Sequence, residues 1–91
     1  MTRIVITQHG YERLRQRDLR VADVRHVVLT GEVVESDPSA QPNPRRLLLG
    51  WCAGSPLHVV VAEDRSRRIM WIVTAYRPDD RLWHPDCRRR R

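Results

Sequence analysis

The chain has 91 residues, 41% of them hydrophobic and 31% charged, a size and balance that allow one domain with one core and exclude a disordered chain. Its longest unbroken apolar run, residues 69–73, is far too short to cross a membrane, so a cytoplasmic protein is expected. The net charge is +6 and all 17 basic side chains are arginine, which excludes lysine chemistry and suggests a polyanion partner, because a guanidinium fork grips phosphate in bidentate fashion.

Ile4, Val5 and Ile6 form a short N-terminal strand or extended lead-in, ended by Thr7, whose hydroxyl suits a helix N-cap. A first helix is expected over residues 8–17. Wound at about 100° per residue, it sets Gly10, Leu14 and Tyr11 roughly on one side and His9, Arg13 and Arg17 in a row at i, i+4 and i+8. A second helix is expected over residues 21–29, with Val24, Val27 and Val28 on a common face and Gly31 as its C-cap, although its valines have poor helix propensity and leave part-strand structure over residues 27–36 as the alternative. Strands over residues 32–36 and 45–51 follow, separated by a proline-rich loop.

The stretch from Leu57 to Tyr76 reads as a hairpin about the polar turn Asp64-Arg65-Ser66-Arg67, rich in the β-branched residues that suit a pleated, half-buried surface. Leu57, Val59 and Val61 alternate with His58, Val60 and Ala62, so neither face is strongly polar. A central place in the sheet follows, with helices on one face and a substrate approaching the other. The fold class is α+β: two N-terminal helices packed on a four-stranded antiparallel sheet, plus the short lead strand. One domain covers residues 1–83. Residues 84–91, ending in Arg88, Arg89, Arg90 and Arg91, read as a solvated basic tail that adds salt-sensitive affinity for RNA.

Cys52 and Cys87 are too few for a disulfide framework and read as free thiols. His84 and Cys87 stand three apart, yet Pro85 and the following arginines argue against a rigid zinc site. No metal and no cofactor is expected.

Ile6-Thr7-Gln8-His9 with Arg13 and Arg17, then His58 to Ala62, then Thr74-Ala75-Tyr76-Arg77-Pro78-Asp79 with Trp83, carry a resemblance to a family of small bacterial domains of unknown function. Its pattern is ITxHxxxRxxxR, HVVVA and TxYxPD…W. Arg20 departs from it, standing where the family tends to place a Ser-like cap for the second helix. The resemblance implies a curved sheet and a fold related to RelE-type toxins, which cleave RNA without metal and are held inactive by a partner. Here it further implies a small zinc-finger-like antitoxin.

Metal-free cleavage needs a base for the 2′-hydroxyl, cations for the developing phosphorane charge and a donor for the leaving oxygen. His9 is the candidate base, Arg13 and Arg17 the phosphate clamp, and His58 or Tyr76 the acid. Arg45, Arg46, Arg77 and Arg81 are candidates for RNA backbone contacts, and Trp83 for stacking on an unpaired base. The alternative is a noncatalytic module of the same fold that binds nucleic acid or a protein.

Overall fold

The computed structural model describes residues 2–91. Seven elements follow in the order β1 (Arg3–Ile6), α1 (Gln8–Gln16), α2 (Val21–Thr30), β2 (Glu32–Asp37), β3 (Arg45–Cys52), β4 (Ser55–Asp64) and β5 (Ile69–Tyr76). Strands β2 to β5 form the expected antiparallel meander. The sheet nevertheless has five strands and is mixed, because β1 lies beside β5 in parallel, from Arg3 against Ile69 to Ile6 against Ile72. The lead segment is therefore a true edge strand, and the sheet order is β1-β5-β4-β3-β2.

Local chemistry explains the helix ends. Thr7 is extended and its Oγ1 accepts the Gly10 amide at 3.0 Å, which satisfies one of the free donors of the first turn of α1. At the other end Asp18 turns left-handed, the Leu19 amide donates to the Leu14 carbonyl and the Asp18 amide to that of Arg15, a Schellman closure. Helix α2 starts at Val21 behind Arg20, which makes no side-chain cap, so tertiary packing of Val24 and Val27 holds it instead.

Both helices cover one face of the sheet. The core there comprises Ile6, Leu14, Val24, Val27, Leu48, Leu57, Val59, Val61, Ile72 and Ala75. Glycines let α2 approach closely: a Cβ on Gly50 would meet Val27 Cγ2 at 2.5 Å, and one on Gly31 would meet backbone carbonyl oxygens of Val27 and Leu49 at 2.5 and 2.8 Å. Backbone cannot rotate away as a side chain can. Gly31→Ala is expected to cost about 2–3 kcal/mol, read as a lower urea midpoint.

Two β-bulges decide which residues share the other face. Opposite Leu49 and Leu47 of β3 stand Glu32 and Glu35, with Val34 as the extra residue, so two glutamates three apart point the same way. Opposite Val61 and Val60 of β4 stand Ile72 and Thr74, with Val73 extra, so Trp71 and Tyr76 also share that face although five apart. Arg45, Leu47, Leu49, His58, Val60 and Ala62 also lie on it.

Residues 84–91, expected to be a solvated tail, instead form part of a strap across this face. Trp83 pairs with Arg90, and the strap is tied to β2 by Arg88–Glu32 at 2.6 Å and Arg90–Glu35 at 2.7 Å. The glutamates aligned by the bulge receive these arginines, so the charge of the terminus is partly neutralised rather than free. No helix among the described residues is long and apolar enough to cross a membrane.

Candidate functional site

The helical row is realised in part. His9 and Arg13 are one turn apart, and Arg13 Nε donates to His9 Nε2 at 2.8 Å. The accepting Nε2 carries no proton, so the ring is neutral with its hydrogen on Nδ1. His9 is exposed and Arg13 half-buried, and neither meets a carboxylate in any ion pair among the described residues. Arg17 leaves the row: its Nη1 donates to Thr74 Oγ1 at 2.8 Å and to the Ala75 carbonyl at 2.7 Å. The pairing of β1 ends at Ile72, so Arg17 satisfies the edge of β5 that β1 no longer covers. Its charge then lies near Tyr76, the last residue of β5.

His58 is no solvent-facing acid. It is fully buried, its Nε2 donates to the Cys87 carbonyl at 2.8 Å, and Nδ1 has no partner. The rings of Tyr76 and Trp83 meet it edge-on at 5.3 and 4.4 Å. Burial pushes its pKa down, against the Cys87 hydrogen bond and Glu35, which favour the charged form. A proton on Nδ1 would be an unmatched buried donor, so the neutral ring is the one that fits. The unfolded chain takes up that proton once the pH falls below the ordinary histidine value of 6.5, and the folded chain only at lower pH. Stability from this residue is thus complete above that value and lost as the pH falls. Urea midpoints from about pH 7.5 to 5 are expected to fall more steeply for the wild type than for His58→Gln.

Trp83 does not face solvent. It is 3% exposed, with the Arg90 guanidinium 4.7 Å from its ring centre, so both its flank and its face are taken and no base can stack there. Tyr76 is half-buried, burial pushes its phenol pKa up, and the hydroxyl keeps its proton. It lines a cavity of about 190 Å³ with Arg45, Arg46, Leu47, Glu35 and Arg90, among others. The hydrogen bond from Arg90 holds the Glu35 carboxyl below the usual range.

Of the other arginines, Arg46 is paired with Glu63 at 2.7 Å and Arg81 with Asp79 at 2.8 Å, while Arg77 reaches only the Pro56 carbonyl at 3.5 Å. Arg45 is exposed and carries its charge unpaired among the described residues. Glu35 and Arg90 were outside the expected site, since Glu35 joins it only through the Val34 bulge. No three His, Cys, Asp or Glu side chains among the described residues gather as a metal-ligand cluster, and Cys52 and Cys87 are both free thiols.

These features define a small α+β domain of two helices on a mixed five-stranded sheet, with an exposed imidazole–guanidinium pair on its first helix. The chain belongs to the family described as a domain of unknown function, DUF4258, whose model matches residues 6–77. The match contains His9, Arg13 and Tyr76 and stops before the strap. No curated protein and no solved structure matches the chain.

Proposed function

We propose that this protein is a toxin-type, metal-independent RNA endonuclease, related in fold to RelE-type toxins, that cuts RNA at His9 and Arg13. The observation that carries this reading is the hydrogen bond of 2.8 Å from Arg13 to His9 Nε2 in an exposed position. It holds a neutral imidazole beside a guanidinium whose remaining donors are free for phosphate. When a phosphodiester draws Arg13 toward itself, the Nε2 lone pair becomes available to the neighbouring 2′-hydroxyl. That oxygen gives its proton to His9 and bonds to phosphorus, the bond to the 5′-oxygen breaks, and Arg13 offsets the charge on the non-bridging oxygens. Tyr76, still protonated, is the proposed donor to the leaving oxygen.

A second reading has its own support. Arg13, Arg15, Arg17, Arg20 and Arg25 lie on α1, α2 and their junction, and none makes an ion pair among the described residues. Such a basic surface binds RNA without cutting it. The toxin reading also brings a partner, an antitoxin resembling a small zinc-finger protein. Incubation of the purified protein with single-stranded RNA in excess EDTA tests the proposal. Shortened RNA is the expected result; RNA left intact with and without ribosomes, while salt-sensitive binding persists, favours the noncatalytic module.

A further inference from the structure

The strap packs on the end of the open sheet face that holds Leu49 and His58 and reaches Glu35, opposite Leu47, through Arg90. The remainder is a trough of two adjoining cavities, about 190 and 560 Å³, that share Arg45 in their walls. The larger one has the size of small-ligand sites. Trp71 and Ala62 line its floor, and it reaches Thr7, the residue that caps the helix carrying His9 in its first turn. Trp71 is half-buried and meets no other aromatic ring among the described residues.

Charge around the trough is selective. Arg46, Arg65 and Arg67 are each paired with Glu63 or Asp64. Arg45 is not, although Asp37 stands directly opposite on β2. One unpaired guanidinium therefore overhangs an apolar floor with one free aromatic face. We propose that this trough is a nucleotide subsite for single-stranded RNA, in which Trp71 stacks on a base and Arg45 holds the adjoining phosphate. It rests on the reading of the protein as an RNA endonuclease, and it leads the strand toward His9. A base offers a flat π surface to Trp71, and the phosphate next to it supplies the anion that Arg45 lacks.

The test is binding of a labelled oligouridylate, and of an abasic oligomer of equal length and charge, by fluorescence anisotropy in a His9→Ala background that leaves the RNA intact. Trp71→Leu is expected to weaken oligouridylate binding about tenfold and abasic binding hardly at all, and Trp71→Phe to restore most of the loss. Arg45→Gln should weaken both oligomers more than the charge-matched Arg65→Gln does, a comparison that stands even where Trp71→Leu fails to fold. Equal binding of both oligomers by the parent and Trp71→Leu, or equal effects of Arg45→Gln and Arg65→Gln, would overturn the subsite. RNA left uncut by the protein with His9 in place, with these binding losses intact, removes the nuclease and leaves the subsite. Cleavage untouched by both substitutions does the reverse.

Discussion

His9→Ala is expected to slow RNA cleavage by about 100- to 10,000-fold, the usual contribution of a positioned base. The ring sits on the exposed side of α1, away from the buried Gly10 and Leu14, so its removal leaves the core intact and the folded protein unchanged. Arg13 loses only the acceptor of its Nε hydrogen. The loss should therefore appear in the single-turnover rate, with RNA affinity nearly unchanged. Arg13→Lys should also lose rate, since a lysine keeps the charge but lacks the planar fork that grips a phosphate through two donors. A His9→Ala protein that cuts as fast as the wild type would remove this residue from the chemistry.

The largest expected effect on stability comes from the strap. Trp83→Ala removes a ring that is 3% exposed, packed against the edge of His58 and covered by Arg90, and should cost about 3–5 kcal/mol. Domains of this size are stable by only about 5–15 kcal/mol, so the urea midpoint should fall sharply, and the protein could be partly unfolded without denaturant. Trp83→Phe keeps an apolar ring and should lose much less. An unchanged midpoint in Trp83→Ala would mean that the buried ring adds nothing to stability.

The sequence made the local parts of this fold legible and the long-range parts obscure. Thr7 with the spacing of Gly10 and Leu14 specifies α1, and the valines and isoleucines about Asp64-Arg65-Ser66-Arg67 specify the central hairpin, because each signal lies within a few residues. The His9–Arg13 pair was readable for the same reason, since one helical turn brings i and i+4 together whatever the rest of the chain does. Pairing of β1 with β5 joins residues 66 apart in sequence, and no local pattern announces it.

The strap was obscured by a subtler cause. In a regular strand Glu32 and Glu35 would point to opposite faces, and the terminal arginines would find no aligned partners. The Val34 bulge turns both carboxylates to one face, and only then do Arg88 and Arg90 become ties across the sheet. The Val73 bulge likewise sets Trp71 and Tyr76 on one face of the sheet, which simple alternation denies. Trp83 reads from the sequence as a base-stacking surface because nothing local shows that the remote His58 and the returning Arg90 cover it.

If His9 and Arg13 cleave RNA through its own 2′-hydroxyl, the product ends formed in excess EDTA carry the signature of that attack. Fragments ending in 2′,3′-cyclic phosphate and beginning with a 5′-hydroxyl, absent with 2′-O-methylated RNA and with His9→Ala, are the predicted result. Fragments with 3′-hydroxyl and 5′-phosphate ends, or cleavage that His9→Ala leaves undiminished, would contradict the account.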